Sequence, residues 1–399
     1  MRRKRKVCVV VASRANYGRI KSFLKAAKER DDLELQIVAT ASALLFRFGK
    51  VVDIMINDGF IPDAQVHVAL EGDSPVTMVK STGIATSELA TVFDLLKPDI
   101  VLTVADRFET LATAIAASYM NIHVAHTQGG ELTGSIDESV RHAITKLSHL
   151  HFVTTELSRQ RVLQMGEDPS RVFLSGCPSI DAIADIDMSV SPEMFDRYGG
   201  VGAIVDPRKP FLLVIQHPVT TEYDLAAEQV RATIKAVSNI AMSTVWLWPN
   251  IDAGTDAISH ELRRFREMER PSWLRMFRNF SVEDYARLMN ACACMVGNSS
   301  SALREGTFLG TPAVNIGTRQ SNRERGSNVM DASPCAEEIE TAIRRQLVHG
   351  RYPGNALFGT GQAGMEIANT LSTVSLSSPQ KTYFDLQDVS LRAVVGGKS

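Results

Sequence analysis

Short apolar runs alternate with helical segments along almost the whole chain, and that alternation constrains the fold more than any other feature. In the first half, apolar runs stand at 7–12 (VCVVVA), 35–41 (LQIVATA), 66–70 (VHVAL), 100–104 (IVLTV), 121–126 (NIHVAH), 151–155 (HFVTT) and 172–176 (VFLSG). Helical periodicity falls between them, for example at 77–96, 109–119, 137–149 and 157–165. Strands buried on both faces read as continuous apolar runs, and a strand–helix–strand repeat implies right-handed crossovers and a parallel sheet. The pattern breaks at 185–210, a stretch rich in turn residues. It restarts at 211–216 (FLLVIQ), 244–249 (TVWLWP), 273–277 (WLRMF), 293–297 (ACMVG) and 312–316 (PAVNI). The expectation is an α/β protein of two doubly wound Rossmann-like domains, at 1–185 and 211–375. A linker at 186–210 joins them, and 376–399 forms a peripheral tail. A length of 399 residues agrees with two domains.

Open α/β sheets bind ligands beyond the carboxyl ends of their strands, at the helix N-termini, and two such domains place the ligand in the cleft between them. The residues just past each strand therefore carry the information. After the strand at 293–297 come Asn298, Ser299 and Ser300, then Glu305 one turn into a helix, and Arg319 after the next strand. Free backbone N–H groups, small hydroxyls and a helix N-terminus suit an anion. Glu305 can accept both hydroxyls of a ribose, and Arg319 can pair with phosphate. An N-capping serine and a surface arginine are the plainer explanation, but capping accounts for one serine and not for three.

Asp106 and Arg107 stand immediately past the strand at 100–104, where a helix N-cap is the plainer reading of the aspartate. The stretch 126–149, HTQGGELTGSIDESVRHAITKLSH, changes the balance. Ser135 to Glu138 reads as a capping box opening a helix with an apolar stripe at Val140, Ile144 and Leu147. Asp137 then lies in the first helical turn, on the same sheet edge as Asp106. Two carboxylates on neighbouring loops over one cleft suit general acid–base work on a sugar carbon. In the second domain His217, after its first strand, is placed to donate to a phosphate or a sugar oxygen, with Asn250 and Asp252 on the same edge. Each of these residue types also makes ordinary turns; their recurrence on one edge is the signal.

Other classes are disfavoured. A net charge of −2 provides no basic field for nucleic acid or an anionic membrane, and the apolar runs are too short to span a bilayer. Five scattered cysteines without C-x-x-C spacing read as reduced thiols of a cytoplasmic protein. The basic start MRRKRK is followed by a run too short for a signal peptide and reads as the lead into the first strand. His123, His126 and Glu131 superficially suggest a metal site, but positions 123 and 126 fall on opposite faces of a strand, so no metal is expected.

Taken in order, SRANYGRIKS, ADRFETLA, QGGELTGSIDESVRHAITKLSH, GCPSIDAI, HPVTTE, PNIDAG, GNSSSALRE and GTRQSNRERG resemble the hydrolysing UDP-N-acetylglucosamine 2-epimerases of sialic-acid pathways over residues 5–375. The resemblance implies a glycosyltransferase-B type fold with a UDP-sugar between the domains. UDP would be eliminated to leave a glycal, which water converts to free N-acetylmannosamine, without metal or nicotinamide cofactor. No kinase domain follows, as in the stand-alone bacterial enzymes, and a homo-oligomer, dimer or tetramer, is expected. Carried over by position, Arg14, Gly18, Arg107, Ser299, Ser300, Glu305 and Arg319 bind the nucleotide, and His217, Asn250 and Asp252 contact the substrate. Asp106 and Asp137 are the catalytic carboxylates.

The chain departs from many relatives at Asn16 (Asp there), Ala43 and Val104 (His), Ala105 (Gly) and Gln128, which replaces a catalytic Glu. An amide cannot take a proton as a carboxylate does. Gln128 then only positions the acetamido group, or acid–base duty passes to Asp106, Asp137 and Glu131. These changes also point to a second substrate, UDP-2,4-diacetamido-2,4,6-trideoxyglucose on the way to legionaminic acid, whose carbon 6 methyl tolerates apolar neighbours. A glycosyltransferase of the same fold and a non-catalytic nucleotide-sugar sensor are the rival classes.

Overall fold

In a computed structural model of the chain, residues 3–385 are described, apart from 73, 185, 250, 251 and 377. Seven strands build the first sheet: β1 (Arg5–Val11), β2 (Leu33–Thr40), β3 (Ala64–Val66), β4 (Ile100–Val104), β5 (His123–Thr127), β6 (Leu150–Val153) and β7 (Val172–Leu174). Their order is β3-β2-β1-β4-β5-β6-β7, and every pairing is parallel. The second sheet holds β8 (Val201–Gly202), β9 (Leu212–Ile215), β10 (Thr244–Leu247), β11 (Leu274–Phe277), β12 (Cys294–Gly297), β13 (Ala313–Ile316) and β14 (Val329–Ala332). Its order is β14-β13-β12-β9-β10-β11-β8, parallel except for β8. Both are the doubly wound sheets expected from the alternation. In each, the winding reverses between two central strands, β1 and β4 in the first and β9 and β12 in the second, and a crevice opens there.

The central strands of each sheet are buried on both faces, which is why they are largely apolar. Val7, Val9 and Val11 of β1 face one core of the first lobe and Cys8 and Val10 the other. Two elements were not visible in the sequence: β8 is two residues long, and β14 (VMDA) carries a charge in mid-strand. The third strand ends at Val66 rather than running over 66–70, although Val68 is still buried.

The domain boundaries differ from the expected ones. Ile180 and Ile183, on the helix Pro178–Ala184, belong to a core of the second lobe, as do Met194, Phe195 and Val205. The stretch 186–210 is therefore packed structure rather than a free linker. Conversely, the helix Ala363–Thr373 returns to the first lobe, where Ile367, Ala368 and Leu371 join the core around Phe23 and Leu24. Its ends are fixed by first-lobe and crossover residues. The Asp181 carboxylate accepts from the backbone N–H of Ala363 and Gly364 (3.0 and 2.6 Å), and Arg5 donates to the carbonyls of Leu371 and Val374 (2.6 and 2.8 Å). The chain thus crosses between lobes twice. Among the described residues no helix is long and apolar enough to cross a membrane.

Candidate active site

The crevices of the two sheets face one another across a cleft of about 1090 Å³, counting the part that opens to solvent. β1 leads into Ser13, whose hydroxyl accepts from the Asn16 N–H (3.2 Å) and starts the short helix Arg14–Gly18. Arg14 and Gly18 line the cleft, and Arg14 donates to Asn279 Oδ1 (2.8 Å) on the other lobe. The Asn16 amide accepts from Ala12 N–H (3.2 Å) and donates to the Val104 carbonyl (3.1 Å). A carboxylate could not make the second bond. This amide ties together the ends of β1 and β4, the two strands of the crevice.

Beyond β4, Ala105 adopts a left-handed backbone (φ 64°), and its carbonyl is bonded to His126 Nε2 at 2.9 Å. The imidazole must carry its proton on Nε2, because a carbonyl only accepts, and burial pushes its pKa down to about 3. Asp106 comes next, lining the cleft with its carboxylate in contact with Arg141 Nη2 and 3.8 Å from Arg323 Nη2. It is not an N-cap, since Arg107 holds the cap position of the helix Phe108–Tyr119. Arg107 reaches across the cleft to Asp252 Oδ1 (2.9 Å) and is paired with Glu109 on its own side (3.2 Å).

Asp137 opens the helix Asp137–Leu147 and also lines the cleft. Burial raises its pKa, helped by Asp252 and opposed by Arg319 and Arg107, so this carboxyl holds a proton more readily than an exposed one. The expected capping box does not form. Ser135 Oγ meets the Asp137 N–H (3.4 Å), while Glu138 Oε2 accepts from the backbone N–H of Thr133 (2.8 Å).

The second lobe supplies a different kind of wall. Gly297 closes β12 at φ 130°, and a β-carbon there would lie 2.0 Å from the Ile215 carbonyl oxygen, so only glycine lets the two crevice strands end this close. The Asn298 amide then joins both loops, accepting from His217 N–H and donating to the His217 carbonyl, each at 2.8 Å. His217 is buried, and burial with the Arg319, Arg14 and Arg107 guanidinium groups drives its pKa well down, so the ring is neutral. Ser299, Ser301 and Tyr285 form a chain of hydroxyls (Ser299–Ser301 2.8 Å, Tyr285–Ser301 2.6 Å), and Arg19 of the first lobe donates to Ser300 Oγ (2.7 Å). Arg319 lines the same wall and donates to the Asn298 carbonyl (3.2 Å). Two residues of the cleft lining each carry a buried polar atom with no hydrogen-bond partner among the described residues, Glu305 at Oε2 and Thr133 at Oγ1.

Not every expected residue reaches the cleft. Gln128, left-handed at φ 66°, turns its amide onto the Cys177 thiol (3.2 Å) and lies outside the lining. Glu131 is likewise buried outside the lining. It accepts from Arg304 (2.5 Å) and Thr154 (2.8 Å), with Arg323 at 3.4 Å, and its carbonyl accepts from Arg141 (2.5 Å). Burial would raise its pKa, but Arg304 and Arg323 outweigh that and hold it below the usual range. Glu131 is thus an ionised tie between lobes. Asp252 acts on the cleft through Arg107, and Asn250 lies outside the described residues. Ala43, Val104 and Ala105 sit in the core beneath the site, not in its wall.

The reading of the sequence missed Arg19, Thr133, Arg141, Tyr285 and Arg323. Arg141 stands four residues after the flagged Asp137 and Arg323 inside the flagged stretch GTRQSNRERG, so the signal available was a basic residue within a stretch already singled out. Among the described residues no group of three or more His, Cys, Asp or Glu side chains is placed to hold a metal ion.

The family profile described as UDP-N-acetylglucosamine 2-epimerase matches residues 25–372. A Legionella pneumophila protein described as UDP-N,N'-diacetylbacillosamine 2-epimerase (hydrolyzing) is 34% identical over 374 residues, covering 94% of this chain and 97% of that one. A Neisseria meningitidis UDP-N-acetylglucosamine 2-epimerase is 29% identical over 388 residues, covering 96% and 99%. The chain also has the fold of the Methanocaldococcus jannaschii UDP-GlcNAc 2-epimerase solved with UDP-GlcNAc and UDP. There the TM-score is 0.76 at 16% identity, over 92% of this chain and all (100%) of that one. The expected glycosyltransferase-B type architecture is the one found.

Proposed function

The chain belongs to the UDP-N-acetylglucosamine 2-epimerase family, and from that premise we propose that it is a hydrolysing UDP-sugar 2-epimerase, releasing UDP and a free 2-epimerised amino sugar. The observation that carries this reading is the pairing of two unlike walls across one cleft, with Asp106 and Asp137 opposite the serine turn, Glu305 and Arg319. The unpartnered Glu305 oxygen is what a ribose hydroxyl would satisfy. The serine turn, Arg319 and Arg14 suit the diphosphate, and the neutral His217 donates to the leaving group.

On the facing wall, Asp106 in contact with Arg141 is placed to accept the proton from carbon 2 as UDP departs from carbon 1. The resulting double bond between carbons 1 and 2 is then hydrated. Hydroxyl adds at carbon 1, and Asp137, whose burial favours the protonated form, returns a proton to the opposite face of carbon 2. Glu131 holds the lobes together in this scheme, and no step needs a redox or metal group.

Incubation with UDP-N-acetylglucosamine alone tests the proposal. UDP and a mannose-configured free sugar should appear without any acceptor, with solvent deuterium at carbon 2 in D₂O and label at carbon 1 in H₂¹⁸O. Retention of the carbon 2 hydrogen, or dependence on an acceptor as for a glycosyltransferase, would overturn it. Binding without turnover would make the protein a sensor.

The Legionella relative favours a second reading of the sugar, UDP-2,4-diacetamido-2,4,6-trideoxyglucose, by identity alone. The substitutions at 43, 104, 105 and 128 lend it no support from the cleft wall, because they lie behind it. Turnover per unit concentration of the two UDP-sugars decides, a ten-fold difference corresponding to about 1.4 kcal/mol in the transition state.

A further inference from the structure

We propose that Thr133 determines sugar specificity, its hydroxyl forming a hydrogen bond with the acetamido group of the substrate. This rests on the reading above, that a UDP-linked 2-acetamido sugar fills the cleft. Thr133 is buried and lines the cleft together with Asp106, Asp137 and Arg323, yet its Oγ1 has no partner among the described residues. An unpaired buried hydroxyl is unfavourable, and valine would fill the same space without it. The hydroxyl is therefore kept for a ligand.

The loop holds it still from both sides. Thr133 N–H donates to Glu138 Oε2 (2.8 Å), and the next residue, Gly134, donates to the Arg319 carbonyl of the other lobe (3.1 Å). The backbone that carries the hydroxyl is thus tied to its own helix and to the other lobe. The loop runs directly into Asp137, one of the two carboxylates assigned to carbon 2, so the substituent on carbon 2 is the group beside it. A hydroxyl both donates and accepts, which matches an amide's carbonyl and N–H.

The test compares wild type, Thr133→Val and Thr133→Ser for kcat/KM on UDP-N-acetylglucosamine, with UDP and UDP-glucose as competitive inhibitors. Thr133→Val should lower kcat/KM about ten-fold or more, as expected when a hydrogen-bonded substrate group loses its partner. Both inhibition constants should stay within about two-fold, and Thr133→Ser should keep most of the activity. An unchanged kcat/KM overturns the assignment. An equal loss for UDP-glucose places the contact on a ring hydroxyl common to both sugars, and an equal loss for UDP places it on the nucleotide; either overturns it. If the valine variant does not fold, Thr133→Ala replaces it, and a serine variant as weak as alanine is again fatal. Should wild type release no UDP, direct titration of UDP-N-acetylglucosamine reads the same ratios. Failure of the reaction is then distinguished from failure of the contact.

Discussion

The two sheet edges that face the cleft both turn the chain through left-handed backbone as the strands end, but with different residues. In the first lobe these are Ala41, Ala105 and Gln128, after β2, β4 and β5. In the second they are glycines, Gly297 at the end of β12 and Gly317 after β13 (φ 71°). Left-handed backbone costs a residue with a β-carbon about 1–2 kcal/mol and glycine almost nothing. The charges divide the same way. The first edge packs Asp106, Arg141 and Glu131 into a buried network with Arg304 and Arg323 from across the cleft, whereas the second offers hydroxyls, backbone, the Arg319 guanidinium and the Glu305 carboxylate. Strain and buried charge gather where the proposed proton transfer occurs, and a soft, strain-free turn faces the proposed anion. Equivalent positions in one topology are thus built for opposite tasks.

The sharpest way to break that division is to neutralise the charged edge. Asp106→Asn and Asp137→Asn should each lower turnover on the order of 10²–10⁴-fold while leaving UDP affinity unchanged, by steady-state kinetics and UDP titration. If either variant turns over normally, the first edge is not the acid–base wall. Asp137→Asn carries a second expectation. A carboxyl whose pKa is raised on folding binds more protons in the native state than in the unfolded chain, so it takes stability away as pH rises from its unfolded value toward the folded one. The asparagine variant should therefore be the more stable protein at neutral pH, and the gap should close below about pH 4. Denaturant midpoints at the two pH values read this directly.

Next in size is the anion-binding edge. Arg319→Ala should weaken UDP binding by about 1.5–3 kcal/mol, the range for a hydrogen bond to a charged group. Turnover at saturating substrate should change far less. A variant that keeps its UDP affinity but loses kcat would place Arg319 with the charged wall instead.

Much of this was legible in the sequence, because parallel strands buried on both faces leave continuous apolar runs that local composition reveals. The two chain crossings were not. Whether Ile180 or Ile367 packs under one sheet or the other depends on where the ends of the chain meet after folding, and an amphipathic helix looks the same in either place. The same limit applies to the site. Asp106, Ser299 and Arg319 follow strands directly and Asp137 opens the helix after β5, so topology alone brings them to one edge. Arg141 reaches Asp106 from the second turn of its helix, and Arg323 arrives from the other lobe, so neither position is marked by a strand end. Gln128 and Glu131 show the converse error. Residues at a strand end need not face the ligand when a left-handed turn aims them behind the wall.

A third prediction bears on the strain itself. A β-carbon on Gly317 would meet no atom within 4 Å, so Gly317→Ala tests backbone preference with no change in packing. It should destabilise the protein by about 1–2 kcal/mol, read from the denaturant midpoint at constant m-value. A neutral outcome would mean that the second edge does not need its glycines, and the contrast between the edges would rest on charge alone.

The smallest expected effect is the reverse exchange in the first lobe, Ala105→Gly. Relief of the left-handed alanine favours the variant by about 1–2 kcal/mol. Against this stand the loss of one fully buried methyl group, about 0.8 kcal/mol, and the added freedom of the unfolded chain, about 0.4–1 kcal/mol. The opposing effects nearly cancel, and stability should stay within about 1 kcal/mol of wild type. The aim of Asp106 should survive too, because the Ala105 carbonyl remains bonded to His126 and the carboxylate remains against Arg141. Turnover should then fall by no more than a few-fold. A loss of stability well beyond 1 kcal/mol would show that the alanine is not strained where it stands. A large loss of turnover at unchanged stability would show instead that its stiffness helps to point Asp106, and the strain at this edge would belong to the mechanism.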